Sequence, residues 1–393
     1  MDVSSIKIPN RSKRQTLKFR GVNTCNAAAF GLGFSGMNSA IQRASLVMPI
    51  IGLLTLFGDA LGFGSHLVTA IVLVGIVLAA VHHAEVVAHK VGEPFGTLIL
   101  AVSVTVIEVG LILSLMLAST ATTATLARDT VFAASMIIMN FLLGLCLLVG
   151  ARHQKEARFT RTGATAALST LATLLVLTLI VPRFTTSISA PAFTPSQLAF
   201  VAAFALILYL TFVFVQTVSN RDYFLPKGDL LDEPGAHAPP PSTKTAWISF
   251  VALLVSLGVV VLLAKGLSKP LEEAVSAMGA PLALVGIAIA GIVLLPESVA
   301  AVRAANANRL QTSLNLALGS ALATIGLTIP AVAAVSYWYG LPLTLGLDNI
   351  GIVLLALTLF VAALSLARGR TTMLLGAVHL TIFAAYLVLT IIP

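Results

Sequence analysis

The chain has 393 residues, 58% of them apolar and only 10% charged, with a formal net charge of +8 and a mean hydropathy of +1.01. A soluble domain needs about a quarter of its residues charged to cover its surface, so this composition excludes a water-soluble globular protein. In a membrane protein the basic excess is read by its placement in loops, before any nucleic acid is considered.

Residues 1–44 are rich in Arg, Lys and Ser and poor in acids, which superficially resembles an organelle transit segment. The first long apolar run begins at Ser45 and leads straight into further ones, so the expectation is a basic cytoplasmic tail and no cleaved secretory signal. A hydrocarbon core about 30 Å thick takes roughly 20 helical residues per crossing. Runs of that length are Ser45 to Phe63, Ser65 to Val81, Thr97 to Ser119, Thr130 to Gly150, Gly163 to Val181 and Gln197 to Val218. The longest polar stretch follows, with Asp222, Asp229, Asp232, Glu233, Pro234 and Pro239 to Pro241, the composition of a linker. Five more runs come after it: Ala246 to Ala264, Pro281 to Val302, Thr312 to Ser336, Leu343 to Leu366 and Thr371 to Ile392. The predicted fold is therefore an all-α polytopic membrane protein of about eleven transmembrane helices. Cys25, in the tail, and Cys146, inside an apolar run, suit neither a disulfide framework nor a zinc site.

With a cytoplasmic amino terminus, 19 of the 23 Lys and Arg residues fall in inner connections. Only Arg128, Arg183, Lys265 and Lys269 fall outside, the asymmetry that a correct span count must give.

One acid stands well inside a span of each half, Glu108 in the third and Glu297 in the eighth. Five spans separate them, and because five is odd a second copy of such a unit must lie upside down in the membrane, the inverted-repeat plan of many secondary transporters. The expected organisation is a tail (1–44), one additional helix (45–64), a first five-helix repeat (65–218), a cytoplasmic linker (219–245) and a second five-helix repeat (246–393). Glu108 is eleven residues from both ends of its run, near the bilayer midplane. Glu297 follows Pro296, which removes an intrahelical hydrogen bond and frees a carbonyl beside the carboxylate. A bare carboxylate in hydrocarbon costs at least a few kcal/mol, so each acid must be protonated, paired or ion-bound. Neither span has Lys or Arg at its centre to pair with. A neutral glutamic acid hydrogen-bonded to a neighbouring helix is the plainer alternative. The spans that follow carry Ser135 and Asn140, and Asn315, Ser320 and Thr324, whose hydroxyl and amide oxygens could complete a cation site or could merely bond across a helix interface, with Gly319 letting helices approach closely.

Two stretches resemble a known family. HHAEVVAHKVGEPFGTLILAVSVTVIEVGLI, from His82 to Ile112, with LARDTVFAASMII after it, and PESVAAVRAANANRLQTSLNLALGSALATIGLTIP, from Pro296 to Pro330, are similar to the two repeats of the ChaA-type cation/proton antiporters of the calcium/cation antiporter superfamily. The resemblance runs through nearly all of the chain after about Pro49. It implies one extra helix plus two inverted five-helix repeats, a bacterial inner-membrane location, and Glu108 and Glu297 as the acids that take cation or protons in turn. The wider Gly-Asn-x-x-Glu pattern is missing at both acids, where Thr105, Val106 and Ile107 precede Glu108 and Leu295 and Pro296 precede Glu297.

Ca2+ takes six to eight oxygen ligands, which two carboxylates with helix carbonyls, hydroxyls, an Asn oxygen and water can supply, and the same pair can instead take two protons. The expected function is exchange of Ca2+, with Na+ or K+ as further candidate cations, for protons by alternating access, with no cofactor and no enzymatic activity. A cation channel is the alternative within transport, and a membrane metal-dependent enzyme or sensor the alternative outside it. His82, Glu85 and His89 share one helix face and Glu93 follows, but their spacing does not fit H-E-x-x-H; passage of protons or ions into the protein is the functional reading and a solvated helix end the plainer one. No G-x-x-x-x-G-K-[ST] occurs, so no nucleotide is expected as a partner.

Overall fold

The computed structural model describes residues 28–92, 95–118, 123–152, 156–188, 191–225, 241–279, 281 and 283–392. The chain divides into a unit Met1–Arg43 and a unit Ala44–Pro393. The linker acids Asp229, Asp232 and Glu233 lie outside the described residues, as does most of the basic tail.

Ten described helices are long and apolar enough to cross a membrane. In chain order with the one that completes them they are α1 (Arg43–Ala60, the end of a helix that begins at Ala28), α2 (His66–Val91), α3 (Phe95–Ala118), α4 (Leu126–Gly150), α5 (Arg161–Phe184), α6 (Pro195–Ser219), α7 (Thr243–Ala277), α8 (Ala283–Asn306), α9 (Leu310–Tyr339), α10 (Asn349–Leu366) and α11 (Met373–Ile391). The one that completes them, α3, has 24 residues, about 36 Å of helix, which suffices for a crossing. About eleven helices were expected, and eleven are seen among the described residues. Their ends differ where local chemistry overrides hydropathy. The largest differences are α1, whose helix begins at Ala28, well before the expected Ser45, and α7, which continues from Ala264, the expected end, to Ala277. The 35 residues of α7 are about 52 Å of helix, so the last turns, carrying Lys269, Glu272 and Glu273, extend beyond any hydrocarbon layer. Local rules set other ends. Pro195 opens α6 behind a capping box of Thr194 and Gln197, Asp348 caps α10 through the Gly351 amide, and Gly340, at φ 64°, closes α9 in the left-handed conformation that glycine tolerates.

The packing repeats with a shift of five helices. Glutamate-bearing α3 packs on α9 and α8 packs on α4; α6 packs on α9 and α11 on α4; α2 and α7 pack on each other. Each pair turns into its partner when five is added to or taken from both numbers, so α2–α6 and α7–α11 are two copies of one unit and α1 lies outside both. An odd number of crossings per copy makes them antiparallel.

Two large apolar cores result, with a small cluster of Ile112, Met116, Ala127 and Val332 between α3, α4 and α9. One is built from α4, α5, α6, α9, α10 and α11 around Leu142, Leu147, Leu171, Leu175, Leu322 and Leu355. The other joins α2, α3, α7 and α8, with Met48 and Leu56 of α1 against its edge. Helix α8 serves both, presenting Val285, Ile289 and Val293 to the second and Ala290, Leu294 and Ala301 to the first. The carboxylates therefore stand where the two cores meet. On the linker side, Ala157–Arg158 pairs antiparallel with Arg370–Thr371, and Arg370 reaches Glu156 at 3.1 Å. This ties the α4–α5 and α10–α11 connections together on one face, as the odd-even alternation of crossings requires.

A candidate cation site on one face of α9

Ser320, Thr324 and Thr328 recur every fourth residue of α9, so their hydroxyls form a stripe on one face of the helix. Both glutamates dock on that stripe. Thr328 Oγ1 donates to Glu108 Oε2 at 3.1 Å, and Ser320 Oγ donates to Glu297 Oε2. Eight residues separate the two donors, about 12 Å along the axis, so the acids dock at two depths along the stripe, near enough for their charges to interact. Glu108 is 2% exposed, and its Oε1 is buried with no hydrogen-bond partner among the described residues. The hydroxyls of Thr328 and Thr324 cannot offset the desolvation of an ionised carboxylate, so Glu108 needs a proton or a cation to be neutral there. Near Glu297 the missing amide of Pro296 leaves the Ile292 carbonyl without its helical donor, an oxygen free to face a ligand.

A cavity of about 140 Å3 lies along this stripe, its lining reaching Gln216 and Asn315 near the linker-side ends of α6 and α9. It is lined by Gln216 and Tyr209 of α6, Asn315, Ser320 and Thr324 of α9, Thr105 of α3 and Glu297 itself. Along α9 it runs from Asn315 to Thr324, about 14 Å, and ends one turn short of Thr328. Glu297 is thus reached from the linker side, while Glu108 lies one turn further in.

The other residues singled out in the sequence are distributed differently. Asn315 lines the mouth of the cavity with its amide already engaged: Nδ2 donates to Phe224 O at 2.6 Å and Oδ1 accepts from Gln311 Nε2 at 2.9 Å. It thereby pins the chain leaving α6 to the start of α9. Asn140 is not with the carboxylates. It lies in a π-helical turn of α4, Ile137–Leu142, where Nδ2 donates to Thr358 Oγ1 at 2.8 Å and Oδ1 faces His379 Nδ1 at 3.3 Å; His379 Nε2 is in turn 3.2 Å from Ser365 Oγ. This buried network belongs to the first core and satisfies Asn140 without an ion. Ser135 spends its hydroxyl on its own helix, donating to Val131 O at 2.7 Å. His82, Glu85 and His89 lie at the linker-side end of α2, with Glu85 and His89 exposed and His82 packed against His83, ring centres 5.8 Å apart. Glu93 lies outside the described residues. Among the described residues no three His, Cys, Asp or Glu side chains come together, so His82, Glu85 and His89 form no metal cluster of the kind an enzyme would need.

Sequence reasoning missed Thr105, Thr328, Tyr209 and Gln216. Thr328 was within reach, because the four-residue spacing that marks Ser320 and Thr324 continues to it. Its role gives a test: Thr328→Val, which keeps the shape and removes the donor, is expected to weaken cation-dependent exchange by roughly 10- to 150-fold, an effect of about 1.5–3 kcal/mol for a hydrogen bond to a charged group, while Thr328→Ser restores it. Equal exchange rates in the Val variant and the parent would remove Thr328 from the site.

Comparison with known proteins gives a consistent picture. The sequence model of the family described as "Sodium/calcium exchanger protein" matches residues 61–218 and 248–392, stretches that run from α2 to α6 and along α7 to α11. A putative ionic transporter, y4hA of Sinorhizobium fredii, is 49% identical over 327 residues, covering 83% of this chain and 88% of that protein. The sodium-potassium/proton antiporter ChaA of Escherichia coli is 34% identical over 354 residues, covering 88% and 95%. The solved structure of native YfkE superposes with a TM-score of 0.68 at 14% identity, over 89% of this chain and all of that one. A solved H+/Ca2+ exchanger, CAX, gives 0.65 at 15% identity, over 89% and 88%. At such identities the structural matches speak for the fold alone.

Proposed function

The chain belongs to the sodium/calcium exchanger protein family, an integral membrane protein of secondary cation transport and not an enzyme, and we propose that it exchanges Ca2+, Na+ or K+ for protons through Glu108 and Glu297. The observation that carries this reading is the pairing of two intramembrane carboxylates with one hydroxyl stripe on α9, at the end of a cavity open from one side. The sodium-potassium/proton activity in the name of the relative 34% identical to this chain supports a proton-coupled reading and leaves the cation to be fixed by flux.

Neutralisation supplies the coupling. A carboxyl bearing a proton or holding a cation is tolerated at the midplane, and a bare pair is not, so the loaded forms cross readily and the empty form rarely. Ser320 and Thr328 hold the carboxylates by donating to one oxygen of each, leaving the other for cation or proton. Exchange of one Ca2+ for two protons is electroneutral; any other ratio also feels about 2.3 kcal/mol per net charge per 100 mV. With the amino terminus and linker cytoplasmic, the cavity opens to the cytoplasm and Glu297 is the first acid that a cation meets. Alternating access then closes this cavity and opens its inverted counterpart.

A channel needs a continuous path, whereas this cavity ends a turn short of a buried Glu108. That favours exchange. The test is flux in proteoliposomes under an imposed pH gradient with Ca2+, Na+ and K+ in turn. Uptake that follows the proton gradient and collapses with a protonophore is expected; cation flux indifferent to pH would overturn the proposal.

A further inference from the structure

Helix α1 belongs to neither repeat, and its seam with α7 is not closed along its length. At Gly52 α1 packs against both α2 and α7: a Cβ added there would run into Ile76 and lie 2.7 Å from Val259 Cγ1. Toward the linker side from that point α1 and α7 leave a groove of about 570 Å3. One wall is the α1 stripe Leu46, Pro49, Ile50 and Leu53, and the other is Trp247, Ile248, Val251 and Val255 of α7, with small Ala252 giving depth between them. Both walls follow the 3–4 residue spacing of one helix face. On α7 the same face continues one turn toward the linker to Lys244, which is exposed, and Trp247 beside it is 64% exposed.

We infer that this groove is a binding site for an anionic phospholipid, one acyl chain lying between α1 and α7 and the phosphate meeting Lys244. The order of chemistry along the stripe is that of the lipid itself. About 12 Å of aliphatic wall, from Val255 to Trp247, is followed by an indole suited to the headgroup level and then by a cation. A flat apolar face would be covered by any lipid, but a concave seam ending in a lysine selects for negative charge. A second copy of the chain would have to bury that lysine against a counter-charge. In the cell such a lipid would brace α1 against the bundle, a role independent of which ion is carried.

Trp247 and Trp338 are the only tryptophans in the sequence, and Trp338 sits at the far end of α9 from its linker-side start. Trp338→Phe therefore leaves one fluorophore, in the groove. The variant would be reconstituted in phosphatidylcholine containing a small fraction of either phosphatidylglycerol or phosphatidylcholine with brominated chains, and quenching of Trp247 recorded. The expectation is roughly fivefold more effective quenching by the brominated anionic lipid, the preference that one lysine near a membrane surface confers. Lys244→Gln in the same background should abolish the difference, and Ala252→Leu, which fills the groove, should reduce quenching by both lipids. Equal quenching by the two lipids, a preference that survives Lys244→Gln, or a Trp247 shielded from both because two copies meet there would each overturn the assignment. None of these readouts depends on ion exchange.

Discussion

Replacing either Glu108 or Glu297 by Gln is expected to abolish proton-driven cation exchange, by about 100-fold or more, in protein that still folds. The substitution changes charge and little else. A Gln side-chain carbonyl can still accept the hydrogen bond that Ser320 gives Glu297 or that Thr328 gives Glu108, and the volumes match. What is lost is the ability to carry a proton or to offset a cation's charge, and a cation left uncompensated in a buried site costs about 2–5 kcal/mol. The two variants should differ in one respect. Glu297 lines the cavity and Glu108 lies a turn beyond it, so Glu108→Gln should retain weak cation binding from the linker side while Glu297→Gln should lose it. Uptake driven by a pH step in proteoliposomes measures the exchange, and isothermal titration of the purified variants measures the residual binding. Parent-like exchange by either variant would sink the reading of that acid.

The membrane makes the fold legible. Because hydrocarbon thickness fixes both the length and the apolarity of each crossing, eleven runs read from the sequence become eleven helices, and two isolated acids five crossings apart announce a repeat. Rotation about each helix axis is not written so plainly. Ser135, Asn140, Ser320 and Thr324 look alike in sequence, each a polar residue on an apolar helix. Ser135 nonetheless satisfies itself on Val131 O, and Asn140 turns into a core that holds Thr358 and His379, while Ser320 and Thr324 face the cavity. A hydroxyl or amide in a membrane helix can be satisfied by its own backbone or by any neighbour, so its type alone does not give its direction. His379 gave no signal at all, being a lone histidine on an apolar run with its partners 14 and 239 residues away. The extension of α7 was missed for a different reason. Its last turns contain lysines and glutamates that form helix well in water, and a search for apolar runs stops where they begin.

The second large effect expected lies at the crossing of α4 and α11, where two glycines let the backbones touch. A Cβ added at Gly376 would stand 2.6 Å from Gly144 O and 2.7 Å from Leu148 N; one added at Gly144 would stand 3.0 Å from Gly376 O and 2.9 Å from His379 Cβ. No rotamer relieves a clash with backbone, so Gly376→Leu must push the helices apart. The network one turn away depends on their approach, because Asn140 on α4 and His379 on α11 are joined at 3.3 Å. Overpacking costs about 1–3 kcal/mol, and each buried polar group left unpaired costs about 1–3 kcal/mol more. Leucine's better helix propensity returns only about 0.8 kcal/mol. The loss wins, and Gly376→Leu is expected to lower the melting temperature sharply or to prevent recovery of monodisperse protein from detergent. Gly258→Leu on α7 is the matched control, since that glycine is exposed and a Cβ there meets nothing within 4 Å. If the two variants melt together, the helices do not cross as closely at Gly144 and Gly376 as described, and the Asn140–His379 network is held by something other than that contact.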